Sequence, residues 1–375
     1  MKVEIQATVL KEGLKKVGEI VNWKNSIPIL QGIYMNCNEQ GIELRAGDQA
    51  NIICHWIPVD GQNVDVVEPG AAIIPEQAYK LLMKLKSSIT LEVADSKLYI
   101  RYGKKSELSV PTMNTDEYPR LPKVDTTEST LTLEGQDFSN LVQKTVISAS
   151  KSEARPILQG VNVRVTPDKI TWIATDSHRL GQVVIKKGNE ENGNDIQMVV
   201  PAETLKKVLK SFDLNEPVSV YCQADNLIVL KNGFSLFFIR LLEGKYPETD
   251  RLIPDDFTTE IKISREHLLS AIDRLKPIAD SGNKGTLKMA RQKDEVKLST
   301  AQTEVGQCVE LLECEEYQGE ELEITFSLDY FKDALSTMDS NDVWVKFTGQ
   351  LRPFIIVPNS SNYEEMQLLL PIRTM

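Results

Sequence analysis

The sequence of 375 residues predicts an α+β protein built from three copies of one unit. Two observations carry this prediction. The motif Pro-Ile-Leu-Gln-Gly at residues 28–32 recurs at 156–160, and the pair Tyr118-Pro119 recurs at the same offset as Tyr246-Pro247. Short runs of β-branched and aromatic residues also alternate with amphipathic helical segments. Self-similarity at a fixed period indicates a repeated supersecondary unit.

The third copy rests on pattern alone, because it lacks both landmarks. Segments 73–82, 199–208 and 325–334 each resemble a strand end that continues into a helix. We place the boundaries near Val124 and Pro254, which gives units at 1–124, 125–254 and 255–375.

Each unit is predicted to contain a strand, a helix, several strands, a second helix and three more strands. The predicted helices cover residues 8–24, 75–87, 136–151, 202–210, 264–276 and 327–339. Clear predicted strands cover 89–93, 98–102, 107–110, 218–221, 227–230 and 235–239.

Composition indicates an ordinary globular protein, with 41% hydrophobic and 26% charged residues. No apolar run approaches the roughly 18 residues of a membrane span. The five cysteines form no Cys-x-x-Cys pair, so neither a disulfide framework nor a metal site is indicated. We expect a cytoplasmic protein without a cofactor.

The distribution of charge bears on nucleic-acid binding. A net charge of −11 argues against it, yet the predicted helices are net basic. Like charges four residues apart on a helix cost a few tenths of a kcal/mol (roughly) in isolation. Such pairs either form a solvated face or contact phosphates without reading bases; they are Lys11/Lys15, Lys80/Lys84 and Lys206/Lys210.

Enzymatic motifs are poorly supported. Asp176-Ser177-His178 suggests a triad, but on a strand adjacent side chains point to opposite faces. The chain has no His-Glu-x-x-His and no phosphate-binding Gly-rich loop. A cytosolic enzyme with a duplicated α+β fold, and a repeat-built scaffold unrelated to DNA, remain as alternatives.

Three further segments are neither catalytic nor obviously core: 175–180, 246–252 and the tail 368–373. Proline within the tail predicts that it forms an edge strand. We therefore expect its removal to leave the fold standing.

These segments resemble the beta sliding clamp family of bacterial DNA polymerase III. Residues 174–180 (Ala-Thr-Asp-Ser-His-Arg-Leu) are similar to the family's A-T-D-G-H-R-L motif, with Ser177 where glycine is usual. Residues 370–373 (Leu-Pro-Ile-Arg) resemble its M-P-[MI]-R ending, although Thr374 and Met375 follow. Residues 246–254 resemble its F/Y-P…R-V/L-x-P stretch.

The resemblance implies three DNA-clamp domains, each with two helices packed on antiparallel sheets, assembled as a ring. The ring would be a head-to-tail homodimer that encircles duplex DNA without sequence specificity. It would tether the replicative polymerase, the clamp loader and repair proteins through short linear peptides, and it would not be an enzyme. A divergent clamp paralogue with altered partners is the alternative within the family.

The resemblance also implies two sets of site residues. An apolar peptide-binding cleft between the second and third domains would comprise Leu158, Thr175, His178, Arg179, Leu180, Pro247, Arg251, Leu252, Leu368, Leu370, Pro371, Ile372 and Arg373. The DNA-facing residues would be Lys11, Lys15, Lys80, Lys84, Lys144, Lys206, Lys207, Lys210 and Arg274.

Overall fold

The computed structural model describes residues 1–187, 195–223, 226–281, 285–292, 295–302, 304 and 306–373. Its helices lie where the sequence predicted them and are α1 (Ala7–Gly18), α2 (Glu76–Leu82), α3 (Gly135–Val146), α4 (Ala202–Ser211), α5 (Arg265–Asp280) and α6 (Leu328–Ser336). No helix in these ranges is both long enough and apolar enough to cross a membrane.

Most helices end elsewhere than predicted: α1, α2, α3 and α6 stop at Gly18, Leu82, Val146 and Ser336, before the predicted ends at 24, 87, 151 and 339, and α5 runs beyond its predicted end at 276. Helix α1 stops at Gly18, well before Lys24, where the side chain of Asn22 accepts from the Lys24 amide (3.0 Å) and holds a turn. Helix α5 continues through Pro277, which the sequence placed beyond its end. Pro277 lies on the exposed face, while Leu275 and Ala279 stay buried on the opposite one. Core packing therefore outweighs the local cost of the proline.

The strands of the first compact unit (Met1–Ser139 with Thr204–Leu241) are β1 (Lys2–Gln6), β2 (Gly32–Asn38), β3 (Gly41–Gly47), β4 (Asn51–Pro58), β5 (Val64–Glu68), β6 (Gly70–Pro75), β7 (Ser88–Ala94), β8 (Lys97–Tyr102), β9 (Ser106–Pro111) and β10 (Leu131–Leu133), then β15 (Val218–Cys222), β16 (Leu227–Asn232) and β17 (Ser235–Arg240). The second unit (Asn140–Glu203 with Leu242–Met375) supplies β11 (Gly160–Val165), β12 (Lys169–Thr175), β13 (Arg179–Lys186) and β14 (Ile196–Pro201). It also supplies β18 (Thr259–Ser264), β19 (Thr286–Gln292), β20 (Glu295–Thr300), β21 (Val309–Glu313), β22 (Glu316–Gly319), β23 (Leu322–Ser327), β24 (Asp342–Phe347), β25 (Phe354–Pro358) and β26 (Glu364–Leu369).

In the first unit the described strands form two antiparallel sheets, ordered β5-β1-β7-β8-β9 and β10-β15-β16-β17-β4-β3-β2-β6. The larger sheet is continuous across residue 124, because β17 pairs with β4 over a register that includes Ser235 and His55. The compact units are therefore larger than the predicted domains: a shared sheet joins half of the central domain to its neighbour.

The second unit repeats this arrangement. Its described strands form sheets ordered β14-β11-β12-β13-β26-β25-β24-β18-β22 and β21-β20-β19-β23. Strand β26 pairs with β13 on one side and β25 on the other. The prediction that the tail is an edge element is therefore wrong for Leu368 and Leu369, because the strand ends before Pro371 and the proline removes no hydrogen bond from the sheet.

Beneath this sheet lies the core of the third domain. Helices α5 and α6 bury Leu268, Leu275 and Phe331 against strands that contribute Phe326 and Phe354. The Phe326 and Phe354 rings lie 5.1 Å apart between centroids. Close aromatic packing of this kind gives β25 and its neighbour β26 a rigid support.

Candidate functional site

A tight turn between β12 and β13 holds the motif at residues 175–179. Asp176 Oδ1 accepts from the backbone amides of His178 (2.9 Å) and Arg179 (3.0 Å). Thr175 Oγ1 donates to the Arg179 carbonyl at 2.6 Å. The expectation that Asp176, Ser177 and His178 lie on a strand is wrong, because the Asp176 carboxylate stabilises a turn instead. Ser177 takes φ +78°, a conformation that glycine adopts more readily.

Arg179 fastens this turn to α6. Its side chain is buried, its Nε donates to Asp176 Oδ2 (3.0 Å), and Nη1 donates to Asp333 Oδ2 (2.7 Å). The guanidinium also lies 4.2 Å from the centroid of the Tyr330 ring. Arg179 therefore positions the turn and is not presented to solvent, whereas His178 beside it is exposed.

One wall of the candidate cleft is formed around Leu158. A 3-10 turn (Pro156–Gln159) buries Leu158 against Val199 and Tyr246. Tyr246 Oη accepts from the Thr175 amide at 3.0 Å, which ties this wall to the turn. Burial raises the pKa of Tyr246 to about 12, so the phenol stays neutral. Pro247 follows it on the surface.

The floor of the cleft is a cross-strand pair. Leu180 on β13 faces Leu368 on β26, and both pack with Ile355. Ile253 and Phe257 cover part of this cluster from the chain segment before β18. Next to them Leu252 is 52% exposed, so an apolar side chain stays open to solvent at the edge of the cluster.

The tail closes the arrangement. The Leu370 amide donates to the His178 carbonyl (2.9 Å), and the Ile372 amide donates to the Thr325 carbonyl (2.7 Å). Leu370 and Ile372 are each 38% exposed, with Pro371 half-buried between them. Backbone hydrogen bonds thus hold two apolar side chains at the surface beside the turn, while Arg373 is exposed.

The structure therefore brings most of the predicted cleft residues together. Arg251 is the most weakly held, with a side chain 89% exposed and Nε 4.0 Å from Glu248. The sequence reasoning missed several residues that shape the cleft, namely Tyr246, Ile253, Phe257, Tyr330 and Ile355. Only Tyr246 carried a signal, through its place in the repeated Tyr-Pro pair. An apolar floor with half-exposed leucines suits the apolar side chains of an extended peptide.

Six of the predicted DNA-facing lysines lie on α1, α2 and α4, and Lys84 lies in the turn just after α2; all seven are at least partly exposed. Some are partly neutralised: Lys80 Nζ lies 2.7 Å from Glu76, and Lys207 and Lys210 lie 3.8 Å and 3.9 Å from Asp48 and Glu19. The set also includes Lys11, Lys15, Lys84 and Lys206. Weak surface pairs of this kind leave most of the positive charge accessible.

The prediction that Lys144 faces DNA is wrong. Its side chain is 2% exposed, and Nζ lies 2.8 Å from both Glu365 and Asp339. It also donates to the Thr337 carbonyl at 2.7 Å. Arg274, in contrast, is half-exposed, but it forms two hydrogen bonds to Glu310 and lowers the pKa of that carboxyl.

One buried pair has the composition of a nucleophile and a base. His55 Nδ1 lies 2.8 Å from Ser235 Oγ, where β4 meets β17. Both side chains are buried, and burial lowers the pKa of His55 to about 4. A substrate has no path to this hydroxyl, so the pair is structural. Among the described residues no group of His, Cys, Asp and Glu has the geometry of a metal site.

Comparisons with known proteins agree with this architecture. Family models of the DNA polymerase III beta subunit match its N-terminal domain at residues 1–122, its central domain at 132–248 and its C-terminal domain at 250–373. The beta sliding clamp of Bacillus subtilis is 33% identical, with 100% of both chains covered. That of Staphylococcus aureus is 31% identical, with 98% of this chain and 97% of the relative covered.

Solved structures give the same result. The DNA polymerase sliding clamp of Bacillus subtilis superposes with a TM-score of 0.93 at 33% identity, and the beta subunit of Streptococcus pyogenes with 0.93 at 28%. Both comparisons cover 100% of each chain. The fold, in three clamp domains, is that of the DNA sliding clamps. This chain belongs to the DNA polymerase III beta subunit family.

Proposed function

We propose that this chain is a processivity factor: a homodimeric ring that encircles duplex DNA and tethers the polymerase to it. The observation that carries the proposal is the full-length match of three successive clamp domains. We assign the domains to 1–124, 125–254 and 255–375. The protein acts in the cytoplasm, where it holds other enzymes on DNA and catalyses no reaction itself.

Two sheet edges fit a head-to-tail dimer. Strand β9 is the edge of the smaller sheet in the first unit, and β21 is an edge in the second. Val309 and Leu311 on β21 are 44% and 61% exposed, which is unusual for an unpaired edge. Pairing β9 of one copy with β21 of the other would cover them, and a heterologous contact that closes gives a ring. Light scattering at micromolar concentration should give the mass of a dimer.

Sliding follows from weak contacts. Lysines on α1, α2 and α4 contact phosphates without reading bases, and salt screens each contact. The purified protein should hold short linear duplexes poorly, stay on circular DNA after loading, and leave once the circle is cut. Charge reversal should impair loading and leave the dimer intact; the test substitutions are Lys80, Lys84, Lys206 and Lys210 to Glu. Lys169→Glu, at an exposed lysine on β12, is the control. Unchanged processivity would exclude these helices as the DNA-facing surface.

The cleft tethers partners. Its assigned residues are Leu158, Thr175, His178, Arg179, Leu180, Pro247, Arg251, Leu252, Leu368, Leu370, Pro371, Ile372 and Arg373. A large apolar anchor buried on the Leu180–Leu368 floor contributes about 1.5–3 kcal/mol. Binding on this scale lets polymerase, clamp loader and repair proteins exchange at one site.

A peptide-binding measurement tests the cleft. Fluorescence anisotropy would follow a labelled C-terminal peptide of the replicative polymerase from the same cell. Leu252→Ala should weaken binding by roughly tenfold, because it removes half-exposed apolar surface that the peptide covers. Val67→Ala, at a 48% exposed position in the other unit, is the matched control and should not change the affinity. Equal affinities for all three proteins would remove this cleft as the binding site.

A further inference from the structure

A groove beside the cleft extends beyond the site assigned above, with which it shares Arg251 and Leu252. It has a volume of about 510 Å³, and its floor is formed by Leu252, Ile253, Pro254, Phe257 and Pro353. Pockets that bind small ligands or peptide side chains typically enclose about 300–1,000 Å³. The groove runs between the segment before β18 and the loop that joins β24 to β25.

The walls of this groove are held in place by the protein itself. The Thr258 amide donates to the Phe347 carbonyl (2.8 Å), and Thr348 Oγ1 donates to the Pro353 carbonyl (2.9 Å). The Lys346 ammonium lies 5.5 Å from the centroid of the Phe257 ring. A ligand would therefore meet a formed surface and would not have to order it.

The groove continues the cleft. Ile253 and Phe257 line the groove and also pack on the Leu180–Leu368 floor. Leu252 belongs to both surfaces. A peptide anchored on the floor of the cleft can therefore extend past Leu252 into the groove.

The rim of the groove carries two arginines. Arg251 and Arg352 are both exposed, and Arg352 forms no ion pair with any described residue. The Glu248 carboxylate is 4.0 Å from Arg251, and Asp256 is the acidic residue in the lining. Arg251 thus has a carboxylate beside it, whereas Arg352 is the rim guanidinium that no described carboxylate pairs. The planar guanidinium fork matches a carboxylate.

We propose that this groove takes an acidic flank of the peptide bound in the cleft, and that Arg352 selects it. The occupant is a linear peptide in which a carboxylate side chain lies next to the apolar anchor. The inference rests on the proposed function of the cleft and adds to it a preference among partners.

Anisotropy with extended peptides tests this preference. The probes are the labelled polymerase C-terminal peptide alone, and the same peptide extended at either end by Glu-Glu or by Gln-Gln. On the unaltered protein we expect Glu-Glu at one end to bind about two- to fivefold more tightly than Gln-Gln, as for an exposed ion pair. The gain should shrink as salt is raised.

The substitution Arg352→Gln should abolish this gain without changing the affinity of the unextended peptide. The control Arg120→Gln, at an exposed arginine in the other unit, should keep it. An equal gain in Arg352→Gln and the unaltered protein, or no gain at either end, would overturn the inference while leaving the cleft intact. Failure of the unextended peptide to bind would instead refute the cleft, and the extension with it.

Discussion

The buried amine of Lys144 offers a test of what holds the second unit together. Its Nζ lies 2.8 Å from Glu365, whose side chain is also 2% exposed, and 2.8 Å from Asp339, which is 76% exposed. Replacing Lys144 with methionine leaves Asp339 solvated but strands the Glu365 carboxylate in the interior. The Lys144 carbonyl keeps its hydrogen bond from Gln367 Nε2 (2.7 Å) in either case.

Removing one partner of a buried ion pair costs about 3–5 kcal/mol. Glu365 retains one donor, the Ser361 hydroxyl at 2.8 Å, so we expect the lower end of this range, about 3 kcal/mol for Lys144→Met. Glu365→Gln should cost less, about 1–2 kcal/mol, because the amine still has Asp339 and the Thr337 carbonyl. Combining Lys144→Met with Glu365→Leu should recover most of the loss.

Hydrogen exchange read by mass spectrometry at the β26 amides resolves this unit from the rest of a multidomain chain, where one global unfolding energy is not defined. Lys144→Met should speed exchange there by the corresponding factor, about 100-fold for 3 kcal/mol, if opening limits exchange at equilibrium. A loss below about 1 kcal/mol for Lys144→Met, or a larger loss for Glu365→Gln, would refute the reasoning.

Three further outcomes follow from the geometry. Deleting residues 371–375 should weaken peptide binding at least about tenfold with the melting temperature nearly unchanged. Deleting residues 368–375 should also lower the melting temperature, because it removes the paired end of β26. Equal melting temperatures for the two deletion variants would contradict this. Ser177→Gly should raise stability by about 0.5–1 kcal/mol in chemical denaturation, because it relieves φ +78°; a loss of stability would show that the Ser177 side chain matters more than the strain. His55 has a folded pKa of about 4 against 6.5 unfolded, so the unfolded chain binds its proton first and stability should fall by about 2 kcal/mol from pH 7 to 5. His55→Gln should lose that part of the pH dependence, and an unchanged profile would exclude His55 as its source.

Secondary structure was largely predictable from the sequence, because period and turn residues are local. The predicted strands at 89–93 and 235–239 correspond to β7 and β17, and the helices begin within a residue or two of their predicted starts. The prediction was wrong where tertiary packing determines the structure. Helix α5 runs through Pro277, and the strand before Pro371 lies inside a sheet instead of at its edge.

The candidate site was predictable only through motifs. The sequence shows Leu180 and Leu368 as two unrelated leucines, and pairing them requires the register of β13 with β26. Lys144 shows the opposite failure. The family resemblance implied that it faces DNA, but the carboxylates that bury it come from Asp339, which follows α6, and from Glu365 on β26, about two hundred residues later. The presence of a lysine on an amphipathic helix therefore does not predict whether residues distant in sequence will bury its side chain.

The position of β26 also governs how the protein is made. Domains generally fold in order as they leave the ribosome. Strand β26 is synthesised after every other strand of its sheet, yet it lies between β13 and β25. The β13 edge of the central domain therefore stays unpaired until the whole third domain has been translated. An open edge of this kind can pair with another nascent chain, so a product that stops before residue 364 should aggregate. Full-length chains therefore have a β13 edge that β26 covers, whereas chains truncated before β26 expose this edge.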